Sequence, residues 1–460
     1  MTSLSRRNLL LAGAGAASAA ALSACSPTAG QAPKGGSSAA ASSSSSAISD
    51  ADRQKALNTP TNLTFWTWVP NIKDEVALFM KAYPNIKVDV QNVGQGAAHY
   101  QKMRTALKAG KGAPDVAQVE FQYVNSFTLT KDLLDLTPYG GASLQSKFVP
   151  WTWSQVAFNG GIWSVPQDSG PMGNLFRSDI MSQAGITAGA TTWDEYMTQA
   201  QTVRSKTSSY ISNFAPTQAG VMIGLLWQAG SKPFGYDGKQ TVKINLTDAN
   251  ANKIATYWQN MIKKDLVSVD PDFNDAWYQG LAKGKYAGWL TAAWGPVFLQ
   301  GTVAKTSGKW QAAKLPQWSA GEDVTGNWGG STNAVLKPTQ YPIAAYELAT
   351  WINTNLQSTL MFANKQSLFP TTKDTLSDSS FVDAKSSFFG GQQVNKLFSQ
   401  ISTTVDPNFP WLPFMDYAYS SYNDTVGKAI TAKGDLVSGM AAWEKALTTY
   451  AKSQGFTVTQ

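Results

Sequence analysis

Cysteine and histidine are almost missing from this chain: its 460 residues include one of each, Cys25 and His99. A single cysteine excludes an internal disulfide. With one histidine beside it, no structural or catalytic zinc cluster can be assembled. A Ser-His-Asp site would have to use His99, and no Gly-x-Ser-x-Gly elbow accompanies it; the residue reads as a surface position on a helix. Charge is also sparse at 15% of residues, and the formal net charge of +7 falls to +5 once Arg6 and Arg7 are set aside. So weak and scattered an excess is no nucleic-acid footprint. Beyond residue 22 there is no apolar run of eighteen residues, so no membrane-spanning helix is expected. Two motif fragments fail on inspection. Asp270, Asp272 and Asn274 begin like a calcium loop, but Asp275 replaces the turn glycine and Leu281 the bidentate glutamate. Gly94-Gln95-Gly96 begins like a dinucleotide fingerprint, but His99 stands in place of the third glycine. Neither metal nor cofactor is expected.

What the chain does have begins at its N-terminus. Ser5-Arg6-Arg7 precedes an apolar, small-residue run from Leu9 to Leu22, followed by Ser23-Ala24-Cys25. The arginine pair resembles a twin-arginine export signal and Leu22-Ser23-Ala24-Cys25 resembles a lipobox, so residues 1–24 are read as a signal peptide and Cys25 as a lipidated N-terminus. The following stretch is Ser, Ala, Gly and Pro, with an unbroken Ser42 to Ser46. It cannot bury enough surface to offset its ordering entropy, and residues 25–58 are assigned to lipidated cysteine and disordered tether.

The remaining 400 or so residues exceed what one growing core usually holds, which suggests two lobes. Leu63 to Trp68 reads as a strand, Lys73 to Tyr83 as an amphipathic helix, Ile86 to Val93 as a second strand, Ala98 to Ala109 as a helix and Asp115 to Val119 as a third strand. That alternation predicts an α/β unit with a mainly parallel sheet, whose ligands gather beyond the carboxyl ends of the strands. Further on, Thr192 and Glu195 form a capping box. Helices are expected over Ala219–Ala229, Asn250–Lys264, Ile343–Asn355 and Asp435–Ala451, and strands over Tyr286–Leu290 and Asn333–Leu336. Pro166-Gln167-Asp168-Ser169-Gly170-Pro171 reads as a rigid turn at the junction of the lobes.

Leu63 to Trp68, Tyr83-Pro84-Asn85-Ile86-Lys87-Val88 and Ala113-Pro114-Asp115-Val116, in this order, resemble the opening of the extracellular solute-binding proteins of bacterial sugar ABC importers. The likeness continues through Gly161 to Pro166, Gly280 to Trp294 and Ser367-Leu368-Phe369-Pro370, departing where Ala292-Ala293 stands in place of the Gly-Pro that precedes the tryptophan in many relatives. The resemblance implies an α/β periplasmic-binding-protein-like fold with two discontinuous lobes and a hinge of several strands. The lobes are placed at 59–167 with 292–338 and at 168–291 with 339–460. It also implies a monomer that clasps one ligand without chemistry and hands it to membrane-spanning permease subunits, at the outer face of the cytoplasmic membrane.

Trp, Tyr and Phe make up 12% of the chain, many of them in expected loops. A flat aromatic ring buries the C–H face of a sugar while amides and carboxylates satisfy its hydroxyls. Ligand-binding candidates are therefore Trp66 or Trp68 at the end of the first strand, and Glu120, Gln122 and Tyr123 after the third. Asp168 at the junction could accept from two adjacent hydroxyls. Trp227 and Trp294 follow, then Trp328 with Gly329, and Trp411 between Pro410 and Pro413, with Asp416 beyond. Glu120 alternatively caps the helix after it, Asp168 forms an Asx turn, and Trp227 belongs to a buried helix face. The expected ligand is a neutral oligosaccharide, since no basic residue is grouped with Glu120 and Asp168 in the sequence. A glycoside hydrolase using Glu120 with Asp168 and a surface adhesin or sensor subunit remain as other readings.

Overall fold

The computed structural model describes residues 47–460. Its first helix, α1 (Asp50–Asn58), is capped by Ser49, whose hydroxyl accepts from the Asp52 N–H. The tether expected over 25–58 therefore ends sooner. Arg53 pairs with Glu347 at 2.9 Å and donates to the Tyr139 carbonyl at 2.5 Å, while Leu57 is buried. A charged segment with one buried leucine carries no apolar stripe, which is why the sequence pattern passes over it.

Then come β1 (Thr61–Trp66), α2 (Lys73–Ala82), β2 (Ile86–Gln91), α3 (Ala97–Ala109), β3 (Val116–Glu120) and α4 (Phe121–Leu129). Strands β1, β2 and β3 pair in parallel, as strands joined through crossover helices do. The left-handed Gly110 closes α3. Further along lie β4 (Val165–Arg177), α5 (Ala219–Gln228), β5 (Gly288–Ala292), β6 (Trp310–Lys314), β7 (Asn327–Val335), α6 (Pro342–Thr354), α7 (Met415–Tyr422) and α8 (Leu436–Ser453). The expected capping box is present, with Thr192 and Glu195 each closing on the other's backbone.

One seven-stranded sheet runs β5-β4-β7-β3-β1-β2, with β6 also paired to β4. Strand β4 holds it together. Its first half pairs with β7, and its second half, from Met172 onward, is flanked by β5 and β6. The segment Pro166–Pro171 is thus part of a buried strand, where a turn was expected from its prolines and glycine. Two register shifts between β4 and β7 take up the irregularity that those residues impose. Gly170 is required at this crossing, because a Cβ there would lie 2.0 Å from the Trp328 carbonyl oxygen.

The expected lobe boundaries also shift. Trp310–Lys314 pairs with the second half of β4, away from the β1–β3 sheet to which 292–338 had been assigned. Pro342–Thr354 packs on α2 and β1, although 339–460 had been placed wholly with the other lobe. Pairing between residues so distant in sequence has no local signature.

Candidate functional site

Where β3, β4 and β7 meet, a buried polar chain crosses the sheet. The Gln118 side-chain oxygen accepts from the Thr67 hydroxyl at 2.7 Å and from the Trp68 N–H at 3.1 Å. Its amide donates to Ser331 Oγ at 2.8 Å, and that hydroxyl donates to Asp168. Asp168 is buried, which raises its pKa, while the Ser331 hydroxyl and backbone N–H groups oppose the rise.

Glu120 ends β3 and begins α4, but its side chain does not cap the helix. Its two oxygens accept from Tyr100 Oη at 3.0 Å and from the Gln122 amide at 3.1 Å. Burial pushes its pKa up to about 7, Asp168 and Asp416 push the same way, and the two donors pull against them. Tyr100 stacks at a tilt on Tyr123 at 4.2 Å, and Tyr123 faces Tyr419 of α7 at 6.4 Å. Glu120, Gln122, Tyr123 and Asp168 are thus brought into one neighbourhood. Tyr100 and Tyr419 belong with them, and the sequence reading missed both. Tyr419 lies three residues after Asp416 on one helix, so i, i+3 spacing was the available signal.

Asp416 forms an ion pair with Arg104 of α3 at 2.5 Å, both side chains about two-fifths exposed. Asn125 of α4 donates to the Trp411 carbonyl at 2.7 Å. The Trp411 indole is buried, donates to Gln155 at 2.5 Å, and borders a cavity of about 360 Å³ together with Phe121 and Phe409.

A second aromatic group lies on the other side of the crossing. The half-buried Trp294 donates to the Trp328 carbonyl at 2.8 Å, with the rings 4.7 Å apart and at 72°. Gly329 follows in the left-handed region, at φ 82°. Phe273, also missed in the sequence, is exposed, adopts φ 53°, and sits 6.3 Å from Trp294 and 6.2 Å from Trp328. A bulky side chain held at positive φ is strained.

The remaining tryptophans divide. Trp68 is half-buried and meets the His99 ring edge-on at 4.9 Å. Trp66 is buried, donates to Gln91 at 3.1 Å and carries the Lys102 ammonium over its ring at 5.2 Å. Trp227 is core, stacked on Phe409 at 4.2 Å and 10° and bonded to the Asp406 carbonyl at 2.9 Å. His99, expected at the surface, is fully buried and donates through Nε2 to the Gln118 carbonyl at 3.0 Å. Burial lowers its pKa to about 4, so the ring is neutral. Cys25 and the export signal lie outside the described residues.

This arrangement offers fixed acceptors beside apolar ring faces. Residues 66–356 match the family model of bacterial extracellular solute-binding proteins. The fold is similar to the ABC transporter associated binding protein of Bifidobacterium animalis subsp. lactis Bl-04 in complex with β-1,6-galactobiose. The TM-score is 0.76 and the identity 31%, over 88% of this chain and 100% of that one. It is likewise similar to the galacto-N-biose/lacto-N-biose I-binding protein of Bifidobacterium longum in complex with lacto-N-biose, with TM-score 0.77 and 26% identity, over 86% of this chain and 98% of that one. The arabinooligosaccharide-binding protein of Bacillus subtilis is 26% identical over 65% of this chain and 70% of its own length. The chain belongs to the bacterial extracellular solute-binding proteins, as a two-lobed α/β binding protein and not an enzyme.

Proposed function

We propose that this protein is the capture component of an ABC importer, binding a neutral oligosaccharide reversibly between its lobes and passing it intact to the permease. The observation that carries the reading is the juxtaposition of Glu120 and Asp168, both desolvated acceptors, with the half-buried Trp68 and Trp294 close to the same strand crossing. In this reading Glu120, Gln122 and Asp168 take sugar hydroxyls, while Trp68, Tyr123, Trp294 and Trp328 cover C–H faces, with Gly329 letting backbone approach the ring. Asp416 and the exposed edge of the Trp411 cavity close the opposite wall. Trp66 and Trp227 serve packing. The pairing of Arg104 with Asp416 supports a neutral ligand, since that cation already has a counter-charge. The saccharides bound by these similar proteins support the same class.

We assign β1–β3, the first half of β4 and α6 to one lobe, and the second half of β4 with β5, β6, α5, α7 and α8 to the other. Among the described residues no helix is long and apolar enough to cross a membrane. Attachment is proposed through lipid on Cys25, at the outer face of the cytoplasmic membrane, with the protein acting as a monomer. Calorimetric titration with β-1,6-galactobiose, lacto-N-biose and arabino-oligosaccharides tests the reading, together with chromatography of the sugars afterwards. Saturable binding with unchanged sugars is expected. Trp294→Ala should weaken it by ~1–3 kcal/mol while the melting temperature holds. Absence of binding across such a panel, or appearance of shorter products, overturns the proposal.

A further inference from the structure

Beyond the Arg104–Asp416 pair, the structure holds a groove of about 560 Å³ that the site described above does not use. One wall comes from α3, α4 and the residues after it, through Arg104, Ser126 and Thr130. The other comes from Tyr417 of α7, Tyr450 of α8 and Phe456. Tyr417 and Tyr450 lie face to face at 3.9 Å and 11°. All three aromatics are only half-buried, unlike the fully enclosed Tyr422 and Trp443 on the same two helices. Exposed Lys239 and Gln454 add polar groups at the rim.

The groove continues the proposed cleft through one turn of helix. Tyr419 faces Tyr123 on the cleft side, Asp416 meets Arg104 at the boundary, and Tyr417 opens into the groove. The boundary is no apolar plug, since both members of the ion pair are about two-fifths exposed and their free lone pairs and N–H groups can meet hydroxyls. Half-exposed rings beside polar rims are the composition that holds a saccharide, and the volume lies within the usual range for ligand sites.

We infer that this groove is an extension subsite that takes the further sugar units of chains longer than those filling the cleft, with Tyr417 as its platform. The inference rests on the capture reading above and deepens it: the ligand class becomes a saccharide chain whose end runs out past Asp416.

The test is calorimetric titration with β-1,6-linked galactobiose, galactotriose and galactotetraose and with arabino-oligosaccharides of two to four units, on the full folded domain. Wild type, Tyr417→Ala and the groove-filling Thr130→Trp are compared, and thermal melts confirm folding; Thr130 is exposed, so the larger side chain has room. Affinity should rise with chain length in wild type by about tenfold, the gain expected of one added aromatic contact. Both variants should lose that rise while binding disaccharide within about twofold of wild type. If wild type gains with length and neither variant diminishes the gain, or if wild type shows no gain, the extension subsite is overturned while capture stands. If wild type binds no member of either series, the capture reading fails and takes the subsite with it.

Discussion

A half-buried carboxylate with donors on both oxygens makes Glu120 the residue whose titration reports on the site. Its pKa stands at about 7 against an ordinary 4.5, raised chiefly by burial. Between those values the folded protein keeps a proton that the unfolded chain has released. The stability Glu120 contributes is therefore complete below about 4.5 and is lost as pH rises through about 7. His99 works in the other direction: its pKa falls from 6.5 to about 4 on burial, so its contribution is lost as pH falls through that window. The two oppose each other in the intact protein, and a difference measurement separates them. Urea unfolding of wild type and Glu120→Gln at pH 4.5 and pH 8 should show the variant gaining on wild type by up to ~3 kcal/mol at the higher pH. A difference that stays constant with pH would remove the desolvated carboxyl from the site. Glu120, Gln122 and Tyr123 were legible as a group after the third strand, because a strand followed directly by a helix leaves its last residues at the sheet's carboxyl edge. It misplaced His99, since one histidine near a helix start says nothing of what packs above it.

At the level of elements, the helices with apolar spacing and the strands between them were legible. Lys73–Ala82 and Ala97–Ala109 follow their periodic residues nearly to the end. The central strand was not legible, because two prolines and two glycines give a local turn signal between Val165 and Gly173. Tertiary packing overrides it. Pro166 and Pro171 cost ladder donors, yet pairing with β7 along one edge and the close Trp328 backbone hold the segment extended. Gly170 carries the tightest of these contacts. Gly170→Ala should destabilise the protein by ~3 kcal/mol, as over-packing against backbone does. Gly301→Ala provides the contrast: it lies in the helix Gly295–Thr302 with nothing within 4 Å of an added Cβ, and should stabilise by ~0.5–1 kcal/mol. Denaturant midpoints for the pair check both signs, and a tolerated Gly170→Ala would mean that β4 and β7 approach less closely than described.

For the whole molecule, what matters is what holds the two walls of the proposed cleft together without ligand. The contacts joining α3 and α4 to α7 and the loop before it include the Arg104–Asp416 pair and the Asn125 bond to the Trp411 carbonyl. An ion pair two-fifths exposed contributes under ~1 kcal/mol and weakens in salt. A neutral hydrogen bond adds ~1 kcal/mol. A ligand touching both walls adds to these contacts and favours the closed arrangement. Two measurements follow by small-angle scattering. The radius of gyration should fall when a binding saccharide is added to wild type. Asp416→Ala without ligand should give a larger radius than wild type in 10 mM salt, where the screening length is about 30 Å. The two should converge in 1 M salt, where it is about 3 Å. Equal radii for wild type and variant at low salt would show that Asp416 has no part in drawing the lobes together. A radius unchanged by a saccharide that binds would place the ligand on one lobe alone.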